Sequence, residues 1–400
     1  MALFLKLAEL AEQLASEAGR LKKRAAIAEA IAAVHAVAPE SEDAGLFALY
    51  LAGTPFAEAD SRKLNAGGAL LSKALLAVSG ATHAELTAAY RRHGDLGAAA
   101  FDLLERTRSG SGAGLTLEEM ATAFVGMAVA GTTAIRARLV EELLRRATPL
   151  EAKYLLKLML GDMRIGVKQS LVEEAIAMAA SVPVEEVRHA VMLEADLAAA
   201  VKRAFAGTLA EARMRLFHPL GFMLASPVAS PEEAVERFTE KGVESVEAFL
   251  EDKYDGMRAQ VHCGNPEQAG RVTIFSRNRE EVTASFPELE EAFASVQQPL
   301  IFDGEILGWD FATARALPFA VLAQRIGRKR VPNEVRQQIP VVFMAFDLMY
   351  AEGELLLELP LRERRNRLEA AVERLVEAAR SPLTIDERRR GAQGVMFAEP

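Results

Sequence analysis

The chain changes its hydrophobic grammar once, and that change limits it to folds built in two parts. Up to about residue 215, apolar residues recur at helical spacing. Beyond about residue 231 they gather into short β-type runs. Between these halves runs Phe217 to Pro231, broken by Pro219, Gly221, Pro227 and Pro231, residues that interrupt either period. The expected organisation is a helical domain at 1–215, a linker at 216–230 and a second domain at 231–400. A chain of 400 residues is long enough for each part to have its own core.

In the first part Leu7, Leu10, Ala11 and Leu14 fall on one helical face, and Arg136–Leu144 and Leu150–Leu160 repeat the pattern. Thr148 is placed to cap a helix with Pro149 at its first position. Thr116 with Glu119 forms a capping box. The glycine-rich Ser109–Gly114 follows a helical pattern and lacks the Lys-Ser/Thr of a phosphate loop, so it reads as a helix–helix connection. In the second part the runs Val246–Leu250, Met257–His262, Val272–Ser276, Leu300–Leu307 and Val341–Asp347 predict strands, with helices at Pro287–Phe293 and Arg362–Ala378. This is an α+β pattern.

No apolar run reaches the length of a membrane span. The start reads as an amphipathic helix rather than a signal peptide, because Lys6 and Glu9 interrupt its apolar stretch. The single cysteine, Cys263, excludes an intramolecular disulfide and a cysteine zinc site, and reads as a strand residue in a protein of a reducing compartment. The net charge of −9 does not advertise nucleic-acid binding, which needs only local basic surface. Candidate patches are Lys22–Arg24, Arg91–His93, Arg325–Arg330, Arg362–Arg367 and Arg388–Arg390.

Chemistry concentrates around Lys253-Tyr254-Asp255-Gly256-Met257-Arg258. A lysine that loses its proton is a nucleophile able to attack the α-phosphate of a nucleotide. Asp255-Gly256 predicts a tight turn, with glycine free to take positive φ. Arg258 just beyond offers its planar fork of donors to phosphate or ribose. Arg277 lies at a strand end. Asp303 and Glu305, two apart on a strand, point to one face and suit Mg²⁺ carried by a nucleotide. Phe343 and Phe346 lie on an apolar strand, available for stacking on a purine or for the core.

In this order the motifs resemble the ATP-dependent DNA ligases of the covalent nucleotidyltransferase superfamily. Ser276-Arg277-Asn278, Asp303-Gly304-Glu305 and Phe346-Asp347-Leu348 follow the lysine motif as they do in that family. Gly94-Asp95-Leu96-Gly97 and Leu160–Val167 resemble its DNA-binding domain, and Phe222-Met223-Leu224-Ala225 resembles its connector. The resemblance implies a multidomain α and α+β protein. An N-terminal all-helical DNA-binding domain would precede an α+β nucleotidyltransferase (ATP-grasp-like) domain lacking its last strands and the OB-fold.

The same resemblance implies that Lys253 is the adenylated nucleophile, with Glu251 contacting adenine. Arg258 and Arg277 would meet sugar and phosphates, Glu305 ribose or metal, and Phe346 would stack on adenine. The implied cofactors are ATP and Mg²⁺. The implied partner is nicked double-stranded DNA, joined through a lysine-AMP intermediate in replication, repair or recombination. Arg164 and the Arg325–Arg330 cluster, with Arg325, Arg328 and Lys329, are the expected DNA contacts. A cytoplasmic, nucleoid-associated monomer is expected, with no membrane association.

The family's next motif has Glu where this chain has Gln393, and Lys where it has Ala398. An amide holds Mg²⁺ less well than a carboxylate. These residues alone are therefore expected to seal nicks poorly, with a separate C-terminal OB-fold part as a possible complement. Two alternatives stay open: a non-catalytic DNA-binding remnant of a ligase, and an RNA ligase or capping-type nucleotidyltransferase.

Overall fold

The computed structural model describes residues 3–60, 62–107, 114–220, 226–239 and 247–380. Contacts divide the chain into Met1–Met214 and Arg215–Pro400. Helices account for the regular structure of the first unit, apart from a short isolated bridge between Leu3 and Thr116. Its first helix, Phe4–Ser16, buries Phe4, Leu7, Leu10, Ala11 and Leu14 along one face. Thr116 opens Leu117–Val129 as a capping box: its hydroxyl accepts the Glu119 N–H at 3.2 Å, and Glu119 accepts the Thr116 N–H at 3.0 Å. Thr148 does the same with Glu151 ahead of Pro149–Met159. Such a cap contributes about 1 kcal/mol. The Ser109–Gly114 stretch, of which residues 109–113 lie outside those described, falls between Leu96–Thr107 and Leu117–Val129. No helix among the described residues is long and apolar enough to cross a membrane.

Gly94-Asp95-Leu96-Gly97 has a steric logic. Gly94 ends the His83–His93 helix in left-handed backbone, φ 62°. Asp95 then receives the Gly97 N–H at 2.8 Å and pairs with Lys157 at 2.7 Å. A Cβ at Gly97 would lie 2.4 Å from the Lys153 carbonyl oxygen, so only glycine lets these two helices approach this closely.

The second unit is built on an antiparallel sheet: β1 Met257–Cys263, β2 Thr273–Ser276, β3 Leu300–Asp310, β4 Arg315–Ala316, β5 Val341–Ala351 and β6 Glu354–Leu355. The order is β2-β1-β3-β5-β6, with β4 paired to β3. Period-two alternation sends Ala259, Val261 and Cys263 into a core with Ile274, Phe302 and Leu348. Phe286, Leu289 and Phe293 pack there with Leu368 and Ala371 of the long Leu361–Arg380 helix. Burial pushes the Cys263 thiol up to about 12, which suits an inert strand residue. The strand expected at Val246–Leu250 does not form: residues 247–250 have no regular structure, and Val246 lies outside the described residues. Their alternation serves a helix surface instead, as described below.

The other face of β1 carries Arg258, Gln260 and His262. The segment after Met214 covers the far end of this face. Phe217 N–H donates to His262 Nδ1 at 3.2 Å, and Gln260 exchanges two hydrogen bonds with the Leu220 backbone at 3.0 and 2.9 Å. Burial holds His262 neutral, its pKa lowered to about 3.

Candidate nucleotide site and nucleic-acid surface

Lys253 stands exposed in irregular chain just ahead of β1. Gly256 connects the two. A Cβ at Gly256 would fall 2.3 Å from the Ile306 carbonyl oxygen and 2.9 Å from Glu305 Cγ. Gly256 is not among the positive-φ residues, which corrects the reason given for it from sequence. Close approach to β3, not backbone handedness, selects glycine here.

Register then gathers the next residues. Arg258 lies opposite Glu305 on β3. On the other side Ala259 pairs with Ser276, the last residue of β2, and the exposed Arg277 opens the turn that follows. Arg258 and Glu305 thus stand side by side on β1 and β3, with Arg277 just past the end of β2. Phe346 joins them through a bulge. Gly304 pairs with Ala345 and Asp303 with Asp347, so Phe346 is the extra residue on β5. Its half-buried ring lies 5.5 Å from the Arg258 guanidinium carbon.

Asp303 and Glu305 of β3 have different tasks. Asp303, 1% exposed, takes the Arg258 fork at 3.2 and 2.7 Å. The expectation that Asp303 faces a metal beside Glu305 is therefore corrected, since an arginine already occupies its oxygens. Burial raises the Asp303 carboxyl above its ordinary value, opposed by Arg258 and reinforced by Asp347. Glu305 is half-buried, and burial raises it too. The Gly256 N–H and the charges of Arg258 and Lys253 pull it back down, while Asp303 pushes it up. Added positive charge would favour its ionised form. No group of three or more acidic, histidine or cysteine side chains suited to a metal occurs among the described residues. One half-buried carboxylate fits an ion delivered with a triphosphate, not one caged by protein.

Glu251 is exposed and ion-paired with Arg365 of the long helix. Gln393, Arg388–Arg390 and Phe222–Ala225 lie outside the described residues. Nothing in the sequence pattern marks Arg364, Arg365, Gln260 or His262 for a role. Arg364 and Arg365 were visible only as part of a basic run, and the polar pair only as strand residues.

On the helical unit, Arg164 is half exposed and has left-handed backbone, φ 52°. It donates to Asp162 at 2.9 Å and to the Gly94 carbonyl at 2.9 Å, so it ties together the two glycine-bearing motifs. Arg328 and Lys329 of the second unit are exposed, with Arg328 Nε donating to the Gln324 carbonyl at 2.6 Å. Arg325 is a correction. It is fully buried, donates to the Ser285 and Ile339 carbonyls at 3.0 and 2.8 Å, and forks Glu288. A guanidinium enclosed in this way presents nothing to DNA. Its place in a basic run hides the Phe286 ring, 5.4 Å from its guanidinium carbon, and the carbonyls that saturate it.

Residues 222–389 match a family model described as ATP dependent DNA ligase domain, and residues 3–177 match one described as DNA ligase N terminus. The chain is 40% identical to a "Probable DNA ligase" of Koribacter versatilis over 98% of its own length and 64% of that protein's. It is 35% identical to a "Probable DNA ligase" of Opitutus terrae over 88% of its own length and 39% of that protein's. To a "DNA ligase" of Archaeoglobus fulgidus it is 32% identical over 100% and 72%. The chain thus spans less than two thirds of the first two of these relatives.

Proposed function

We propose a function from one established premise: the chain belongs to the ATP-dependent DNA ligase family. Lys253 is the nucleophile of the first step. Its neutral Nζ attacks the α-phosphorus of ATP, a P–N bond forms, the bond to the bridging α,β-oxygen breaks, and pyrophosphate leaves. The observation that supports this most is Arg258 opposite Glu305 beside Phe346, with Arg277 just past the end of the neighbouring strand and Lys253 close enough for its charge to act on Glu305.

In this reading Phe346 offers its face to adenine and Glu251 its carboxylate to the exocyclic amine. Arg258 and Arg277 hold the sugar and phosphates against charge that develops in the transition state. Glu305 binds ribose or, with the phosphates, Mg²⁺, an ion whose chemistry is charge neutralisation at the phosphoryl oxygens. Nicked double-stranded DNA is the second substrate. AMP passes from Lys253 to its 5′-phosphate, and the 3′-hydroxyl then displaces AMP. Arg164, Arg328 and Lys329 contribute phosphate contacts without base readout.

Incubation with α-labelled ATP and Mg²⁺, beside Lys253→Ala, tests the reading. Label on the unaltered chain and none on the variant is expected. Because Lys253 is exposed, its removal leaves thermal unfolding unchanged. Equal label on both would assign the covalent site to another residue.

A further inference from the structure

The stretch Glu247–Glu251 leads into Lys253 without secondary structure of its own, yet alternate residues meet one helix. Glu247 pairs with Arg362 at 2.8 Å. The Phe249 ring lies 5.4 Å from the Arg362 guanidinium carbon and 5.8 Å from that of Arg365. Glu251 pairs with Arg365. Arg362 and Arg365, three apart on the Leu361–Arg380 helix, share a face, and residues 247, 249 and 251 all meet that face.

Arg364 serves the sheet instead. Its Nε and Nη2 fork Asp347 at 2.8 and 3.0 Å, with both side chains at most one-tenth exposed. Asp347 lies opposite Asp303 in the β3–β5 register, and Asp303 forks Arg258. A run of charges, Arg364, Asp347, Asp303, Arg258, therefore leads from the helix to the nucleotide site. The two aspartates repel one another. Arg364 neutralises the second, so the first keeps its fork on Arg258 without a competing carboxylate.

We propose that the Leu361–Arg380 helix is a positioning element of the nucleotide site. Arg362 and Arg365 hold the segment that carries Glu251 and Lys253, and Arg364 sets Arg258 through Asp347 and Asp303. This rests on the reading of that site given above. None of these three arginines is assigned to touch the nucleotide. They act through residues that do.

The test measures covalent AMP formation on Lys253 against ATP and GTP concentration, with thermal unfolding alongside. It compares Arg365→Ala, Arg365→Lys, the single variant Arg364→Met and the double variant Arg364→Met/Asp347→Leu. The double variant replaces a buried pair by apolar groups, which keeps a fold where a single change strands a charge. Arg365→Ala is expected to raise half-saturating ATP about tenfold and to narrow the preference for ATP over GTP, without moving the unfolding temperature. Arg365→Lys recovers part of both. Arg364→Met, which leaves the Asp347 charge to compete for Arg258, is expected to lower the maximal labelling rate about 10²-fold under conditions where it is folded. The double variant, which removes that carboxylate as well, is expected to recover most of the rate.

If the unaltered chain labels and both Arg365→Ala and folded Arg364→Met stay within about twofold of it, the helix is merely structural and the proposal falls while the reading stands. A double variant as slow as Arg364→Met overturns the link through Asp347. If the unaltered chain binds ATP by calorimetry without labelling, the ratio of dissociation constants decides in the same way. If it neither binds nor labels, the reading falls and the proposal with it.

Discussion

Two arginine–carboxylate pairs in the second unit share chemistry and differ in surroundings. Arg325 is fully enclosed, and its Nε, Nη1 and Nη2 all donate to Glu288 or to the Ser285 and Ile339 carbonyls. Arg258 forks Asp303 but keeps about a fifth of its side chain exposed, beside an aromatic ring and opposite a second carboxylate. In the first pair the guanidinium is saturated by its own fold. In the second, Asp303 and Glu305 are both held above their ordinary range by burial, so the site gains from any cation brought to it. A structural pair closes on itself, whereas a ligand-ready pair leaves electrostatic need at its rim.

The sharpest way to break this contrast is Arg325→Met. It leaves two backbone carbonyls without that donor and the Glu288 carboxylate with Arg336 at 3.9 Å, and the expected loss is about 3 kcal/mol of unfolding free energy, read by denaturant titration. Affinity for nicked DNA should be unchanged under conditions where the variant is folded. A stable variant with weakened DNA binding would restore Arg325 to the nucleic-acid surface.

Arg258→Met should give the opposite signature. Asp303, already raised by burial, can take a proton when its partner is lost, which limits the damage to the fold. The rate of covalent AMP formation should fall about 10²–10³-fold. Loss of fold with little change in rate would make Arg258 another Arg325.

Much of this was legible in the residues. Capping boxes at Thr116, strands at Met257, Leu300 and Val341, and the helix at Pro287–Phe293 follow from local chemistry that needs no distant partner. What escaped depended on tertiary burial. Arg325 looks the same as Arg328 in sequence, but only one lies beneath the fold. Glu247, Phe249 and Glu251 alternate as a strand does, yet their partner is a helix face, and no pattern within five residues distinguishes the two. Asp303 and Glu305 share a strand face as predicted, but their tasks differ: Asp303 takes the Arg258 fork, whereas Glu305 receives the Gly256 N–H.

A third buried polar group, at the far end of β1, sharpens the comparison because it closes on itself as an uncharged group. His262 is held neutral by burial, its pKa lowered to about 3, so the unfolded chain binds its proton more readily. Its contribution is fully present above about pH 6.5 and is lost as the pH falls towards 3. At pH 5 the cost relative to pH 7 is about 2 kcal/mol. Denaturant unfolding at both values, against His262→Gln, should show a flatter dependence for the variant. Identical slopes would mean that water reaches the ring.

The smallest effect concerns the exposed end of the scale. Arg164 is half exposed and holds the Gly94 carbonyl with one donor and Asp162 with another. Fixed in left-handed backbone, it ties the two motif loops of the helical unit. If it also meets a DNA phosphate, Arg164→Ala should weaken binding to nicked duplex by a similar factor for every sequence tried. It should also reduce the slope of log affinity against log salt by about one. Arg164→Lys retains the charge and should keep most of that slope, while losing the fork that reaches both loops. A slope unchanged in both variants, with lower thermal stability in each, would make Arg164 a loop tie of the same closed kind as Arg325.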